Sequence, residues 1–320
     1  GIPIDSLDNQ FKEWLLGKNY RSIWTSAVQA PVLDLTHEKG GLKVIQRGGG
    51  QQTLSLRYAG KDENQYVTRS VEKYPESAVP EAIRSKFTVD IVGDQISASH
   101  PFAALTIPSL AEAAGVLHTN PRLVRLPNDT ILGPYQRLFA GQLALFEERP
   151  DEGFAGAKKT YSTLKLFDKL DQDNKNVVDQ KALLRARLLD MLIGDWDRHD
   201  DQWRWAAFEE GKHTIFKAIP RDRDQAFFVS QGVLPKIVSR KWILPKVQGF
   251  DYKIRDVNTF NFNARYVDRA FLTQLSQQDW QETASLLQQS ISDSLIDESI
   301  KKLPNNDPFT SEIAAKLKQR

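Results

Sequence analysis

Six aspartates fall within thirty residues in two groups, Asp195, Asp197, Asp200 and Asp201, then Asp222 and Asp224. Between the groups run two segments that read as strands. One is Gln202 to Phe208, in which Trp203 and Trp205 alternate with their neighbours; the other is His213 to Ile219. The turn Glu209-Glu210-Gly211-Lys212 separates them, and apolar alternation around a glycine turn is the pattern of a β-hairpin. Antiparallel pairing about that turn makes residues near 202 and near 219 cross-strand neighbours, so Asp197 is expected close to Asp222. Clustered carboxylates repel one another and rise in pKa unless something positive offsets them. A hard divalent metal ion meets that demand. An ion-pair network through Arg198, Arg221 and Arg223 meets it as well. The tryptophans Trp196, Trp203 and Trp205 tie the acidic turns to a scaffold, and are expected to pack rather than to stack on a ligand.

The rest of the chain divides around this feature. Residues 1–41 carry Phe11, Trp14, Tyr20 and Trp24 among charges and read as an N-terminal extension of short helices laid on a later core. Strand patterns occupy 42–150. Leu42 to Ile45 and Thr53 to Tyr58 flank a tip containing Gly48, Gly49 and Gly50, and a polar turn then leads to a third strand, Gln65 to Val71. The two-residue period puts Val67, Arg69, Val71 and Lys73 on one face of that strand. Helices are expected over 79–92 and 103–114, and further strands over 122–126 and 142–148. From 151 to 320 the pattern is mainly helical, with Asp179 a suitable N-cap for a helix from Gln180 to Ile193.

Composition narrows the chemistry. With 43 basic and 41 acidic residues in 320, the chain has no basic excess of the kind that binds nucleic acid. Absence of cysteine excludes thiol nucleophiles, disulfides and Cys-ligated zinc or iron–sulfur centres. No run of about 18 apolar residues marks a membrane span, and Asp5, Asp8 and Glu13 interrupt any signal-peptide pattern. The start at Gly1 and the single Met191 suggest a segment of a longer protein. Phosphate-loop chemistry is excluded because Gly17-Lys18, Gly60-Lys61 and Gly211-Lys212 are followed by Asn, Asp and His rather than Ser or Thr. The Gly48 triplet opens no helix, so the dinucleotide fingerprint fails too. Asp171 and Asp173 imitate the start of a calcium loop, but Ala182 stands where its bidentate glutamate belongs.

The order of parts resembles the atypical branch of the protein-kinase-like superfamily. A glycine-tipped hairpin, a strand bearing a cation, a connecting strand, a helix ending in an Asp-containing loop, a hairpin and a second Asp follow one another as in kinases. The match is closest to CotH-type spore-coat kinases, HipA-type kinases and the secretory-pathway kinases with an Asp-Arg-His loop. It covers roughly 42–228 and is sharpest at Asp197–Gln202 and Asp222–Phe227. The resemblance implies a bilobal α+β fold, an antiparallel-sheet N-lobe and a mainly helical C-lobe.

It also implies roles. Asp197 would be the catalytic-loop aspartate that orients or deprotonates an acceptor hydroxyl. Asp222 would bind metal, with Gln202 standing where many relatives have asparagine and Asp224 able to hold a second cation. Gly48, Gly49 and Gly50 would cover nucleotide phosphates, Arg69 or Lys73 would neutralise them, and Glu81 or Asp90 would partner that cation. The strand ending at Glu148 would lead to the hinge whose backbone meets adenine. His199 would brace the loop or ligate metal. The basic stretch Lys236, Arg240, Lys241 and Lys246 falls where kinases contact substrates.

Three functions compete on this reading. One is a phosphotransferase using ATP with Mg2+ or Mn2+ to modify a hydroxyl on a protein or small molecule. Transfer of AMP is a variant of it. Another is a non-catalytic kinase-like module that binds nucleotide or a partner within a larger bacterial envelope or periplasmic protein, a reading that Gln202 favours. A metallophosphoesterase is suggested by Gly194-Asp195-Trp196-Asp197-Arg198, but the Gly-Asn-His segment of that family is missing and there is no Asp-x-His separate from Asp197-Arg198-His199 itself.

Overall fold

The computed structural model describes residues 17–48, 53–74, 96–229, 231–232 and 248–320. The chain forms two compact units. The first comprises Gly1–Pro101, Asn120–Arg149 and Gln231–Pro235; the second comprises Phe102–Thr119, Pro150–Ser230 and Lys236–Arg320. The α+β class expected from the sequence is the class observed.

The first unit is built on an antiparallel sheet of β1 (Lys43–Gly48), β2 (Thr53–Ala59), β3 (Gln65–Lys73), β4 (Arg122–Arg125) and β5 (Leu143–Glu148), ordered β1-β2-β3-β5-β4. The meander read from the sequence is therefore present, and β5 closes against β3 in place of the chain's next element. Leu56, Tyr58, Tyr66, Val124, Ala144 and Phe146 bury one face against Leu33, Leu35, Leu132 and Phe139. Fully burying each of the leucine, valine and phenylalanine side chains there contributes about 1.5–3 kcal/mol. Tyr58 keeps its hydroxyl satisfied there by Thr68 Oγ1 at 3.1 Å. Burial pushes that phenol up to about 12, against the opposing pull of the Thr68 bond. Residues 31–33 join the sheet edge through a parallel bridge from Val32 to Arg125.

In the second unit the elements are α1 (Ile107–Ala113), β6 (Lys159–Ser162), α2 (Thr163–Gln172), β7 (Asn176–Val178), α3 (Gln180–Ile193), β8 (Trp203–Glu210), β9 (His213–Pro220), α4 (Arg265–Phe271), α5 (Gln277–Ser290), α6 (Asp293–Ile300) and α7 (Thr310–Gln319). The expected β8–β9 hairpin turns through Gly211, whose φ of 63° suits glycine, and pairs Trp203 with Pro220. Sequence periodicity missed β6 and β7. These three- and four-residue strands flank the hairpin to complete a sheet ordered β6-β8-β9-β7, with β7 parallel to β9. Trp203 and Trp205 are buried on this sheet. The Trp205 indole donates to Thr163 Oγ1 at 3.1 Å and meets Phe271 edge-on at 5.1 Å.

Helix α3 begins as expected. Asp179 Oδ1 accepts from the Ala182 amide at 2.8 Å. It ends at Gly194, whose φ is 73° and whose position leaves no room for a side chain, since an added Cβ would lie 2.8 Å from Phe250 Cδ2. The helix expected over 79–92 lies outside the described residues. No helix among the described residues is long and apolar enough to cross a membrane.

Candidate functional site

Both acidic groups sit at one end of the β8–β9 hairpin. The first loop leaves α3 through Gly194. The second leaves β9 through Pro220, and its Arg221 amide donates to the Gln202 carbonyl at 2.9 Å, extending the ladder one step past Trp203–Pro220. Arg198 then joins the loops. Its Nη2 donates to the Gln202 carbonyl at 3.0 Å and its Nη1 to the Arg221 carbonyl at 2.7 Å. Arg198 directly follows Asp197 and Arg221 directly precedes Asp222, so one buried guanidinium fixes the backbone beside both candidate aspartates. A further anchor lies below it, where the Phe227 amide donates to the Ile193 carbonyl at 2.9 Å.

The charges that hold this frame include Arg198, Arg223 and Asp195, which the sequence singled out, together with Asp190 and Arg187, which it did not. Arg198 and Arg223 are engaged with Asp190 and Asp195, both fully buried. Arg223 Nη1 contacts Asp190 Oδ1 directly. Arg198 lies 3.2 Å from Asp195 Oδ2 and 3.5 Å from Asp190 Oδ2. Arg187 reaches Asp190 at 2.7 Å and Asp268 at 2.8 Å. Arg221 enters through its backbone, with its carbonyl accepting from Arg198. Burial pushes the Asp195 carboxyl up to about 7; Arg198 opposes this and Asp190 adds to it. Burial also lowers Arg187, but Asp268 and Asp190 outweigh it and leave that guanidinium above its ordinary value. The sequence did carry a signal, because Arg187 and Asp190 interrupt the apolar stripe of Leu183, Ala186 and Ile193 on the inner face of α3.

Asp197 stays outside this network and partly open to solvent. Its Oδ1 accepts from Asn263 Nδ2 at 2.6 Å, and its Oδ2 lies 4.0 Å from His199 Nε2. His199 Nδ1 accepts from the Asp201 amide at 3.3 Å. Gln202 is 9% exposed, and its side-chain amide makes no hydrogen bond among the described residues. Asp222 is exposed and holds φ at 55°, a left-handed conformation that costs a non-glycine residue of order 1–3 kcal/mol and clusters at functional sites. Asp224 is half-buried in the turn that follows. Trp196 packs edge-on against Phe228 at 5.8 Å. Asn263, 66 residues downstream of Asp197, had no local signal.

The candidate nucleotide residues of the first unit form their own group. The register runs Gly48–Ser55–Arg69–Leu145 across four strands, so Gly48 and Arg69 share one row about 10 Å apart. Arg69 Nε pairs with Glu147 Oε1 at 3.0 Å. That partner was not among the acids considered; Glu81 and Asp90 lie outside the described residues, as do Gly49, Gly50 and the stretch Lys236 to Lys246. Lys73 pairs with Thr53 beyond a β-bulge. Glu148 stands opposite Tyr66, hence on the other face of the sheet from Arg69. Burial pushes its carboxyl up, Lys39 opposes this, and Asp62 adds to it.

Gln202, Asp222 and Asp224 offer hard oxygen donors of the kind that suits Mg2+ or Mn2+. The backbone bond from Arg221 to Gln202 puts Asp222 one residue beyond the Gln202 pairing position, and the Gln202 amide is unengaged among the described residues. Among the described residues no group of three or more His, Asp or Glu converges as a metal site.

No protein-family model matches the chain. No curated protein matches it either. Among solved structures it is similar to the Helicobacter pylori proinflammatory kinase CtkA, at 14% identity and a TM-score of 0.47 over 90% of this chain and 93% of that one. It is also similar to the Chaetomium thermophilum Rio2 kinase in its ADP/Mg2+-phosphoaspartate complex, at 12% identity and a TM-score of 0.39 over 88% of this chain and 70% of that one.

Proposed function

We propose that the chain is an atypical kinase that moves the terminal phosphoryl group of ATP to an acceptor hydroxyl. The observation that carries the reading is the Arg198 clamp, which fixes the two acidic loops together with Asp197 on one side and Asp222 on the other. Asp197 is the proposed base. Asn263 occupies Oδ1, so Oδ2 is the atom that takes the hydroxyl proton. The acceptor oxygen forms its new bond to the γ-phosphorus as the bond from that phosphorus to the β,γ-bridging oxygen breaks and ADP leaves. Positioning and charge neutralisation supply the acceleration, since little covalent chemistry falls to the protein.

Gln202, Asp222 and Asp224 are the proposed holders of Mg2+ or Mn2+, which when bound would neutralise charge on the phosphates. In the first unit Arg69 and Lys73 are the proposed phosphate cations, with Gly48, Gly49, Gly50 and the backbone at Glu148 as proposed nucleotide contacts. A second reading, a kinase-like module that binds nucleotide without transfer, is favoured by Gln202, whose amide is one methylene longer than asparagine's.

Thermal unfolding with ATP and either metal tests the site. At 100 times the dissociation constant the ligand adds about 2.7 kcal/mol, a shift of several degrees. The shift should vanish in Asp222→Ala and persist in Asp197→Ala, whose transfer to any hydroxyl should be lost. Absence of a shift with either metal would refute both readings, and a shift without transfer in the wild type would select the second.

A further inference from the structure

We propose that Phe262, Arg265 and Tyr266 form the acceptor's docking surface, and that the acceptor is an acidic protein segment whose carboxylates flank the hydroxyl to be modified. The inference rests on the phosphotransferase reading above. It starts from Asn263, whose amide touches the proposed base at 2.6 Å. Arg265 is two residues further on, so its Cα lies within about 7 Å of that of Asn263. The guanidinium is held between two rings, 3.8 Å from the Phe262 centroid and 4.2 Å from that of Tyr266. Nη1 donates to the Phe262 carbonyl at 2.6 Å and Nη2 to the Tyr266 hydroxyl at 3.1 Å.

What this arginine lacks is an acid. Arg187, Arg198 and Arg223 in the same unit each contact at least one carboxylate, whereas no carboxylate pairs with Arg265 among the described residues. A guanidinium presents five N–H donors in a planar fork that suits a carboxylate, and only two are engaged here. Stacking has already removed the side-chain freedom that binding would otherwise have to freeze.

The two rings are 48% and 58% exposed, and Val257 beside them in sequence is 50% exposed. Exposed aromatics around a fixed arginine are the composition of a protein–protein hot spot. A concavity of about 460 Å³ in this unit lies away from these rings, at the turn end of the β8–β9 hairpin, lined by Tyr161, Asn176, Thr214 and Phe216. A small anion would prefer an enclosed site. An extended segment advances about 3.4 Å per residue, so an acid roughly two to four positions from the hydroxyl would reach Arg265 while the hydroxyl lies at Asp197.

The test uses the full chain and paired synthetic peptides, each with one serine flanked by Asp and Glu or by the matching Asn and Gln. Peptide affinity is read by fluorescence anisotropy, and transfer by label from ATP. The acidic peptide should bind about tenfold tighter than its amide twin, with the advantage falling as salt is raised. Arg265→Ala should abolish that preference and raise the peptide KM about tenfold while the thermal shift given by ATP and metal is retained, which also shows that the variant is folded. Arg265→Lys should recover only part of the preference, because charge returns without the fork. Equal affinity for the twins in the wild type, or an undiminished preference in Arg265→Ala, would overturn the docking surface even where ATP binds. Preferential peptide binding without any ATP shift would instead sink the kinase reading and leave an acid-binding surface.

Discussion

Replacing Asp190 with alanine probes the frame under the site. The carboxylate is fully buried against Arg187 at 2.7 Å, Arg198 at 3.5 Å and, in direct contact, Arg223. Arg187 would keep Asp268. Arg198 and Arg223 would be left sharing Asp195, whose carboxyl, at about 7, is only partly ionised at neutral pH. Removing one partner of a buried pair costs about 3–5 kcal/mol, because the remaining charge stays desolvated. Loss of a negative neighbour lets Asp195 ionise further and offsets part of this, which places the expectation at the lower end. For a unit of roughly 150–250 residues each kcal/mol moves the midpoint by about 2–4 °C, so the second unit should melt about 6–12 °C lower. Calorimetry of the wild type, Asp190→Ala and the double variant Asp190→Ala/Arg223→Met measures it. The double variant should recover part of the loss, since an apolar side chain has no charge to strand. A drop under about 2 °C in the single variant, or a double variant less stable than the single one, would refute the account of the three arginines.

Other expectations follow from single contacts. Gly194→Ala forces a Cβ into a left-handed residue 2.8 Å from Phe250 and should cost more than about 1–2 kcal/mol by chemical denaturation; a neutral result would mean that the α3 terminus relaxes freely. The folded-state pKa of Asp195, about 7, lies above its ordinary 3.8, so the folded chain holds a proton that the unfolded chain has released. The stability from that proton is present below about pH 4 and lost as pH rises towards 7, so Asp195→Asn should gain on the wild type between pH 5 and pH 8, and parallel melting curves would contradict it. Asn263→Ala removes the hydrogen bond that orients Asp197 and should lower kcat about tenfold with the KM for ATP unchanged. A change confined to KM would place Asn263 in binding instead.

Local grammar was legible and distant partnership was not. The β8–β9 hairpin, the β1–β3 meander and the α3 cap could be read because alternation, glycine turns and an N-cap aspartate act between neighbours. The convergence of Asp197 and Asp222 loops follows from that hairpin alone. Strands β6 and β7 are too short to show a period, and the β7–β9 pairing joins segments separated by a whole helix and strand. Within the site, an arginine network through Arg198 and Arg223 was foreseen, but of its two central acids only Asp195 belonged to the cluster read from the sequence, and Asp190 lies on α3 outside it. Asp190 looks like a misplaced polar residue until three guanidinium groups are folded around it. Glu147 as the partner of Arg69 became visible only with the β3–β5 register.

The Arg198 clamp also determines how the site can come apart. Because one side chain bridges the Gln202 and Arg221 carbonyls, and the Arg221 amide itself bonds to Gln202, neither loop can open while the other stays closed. In amide hydrogen exchange the protons of Gln202, Arg221 and Phe227 should therefore leave together as one cooperative opening, slower than the surface turns around them. Any signal that loosens either loop is felt by both, so the two candidate aspartates share a single lifetime.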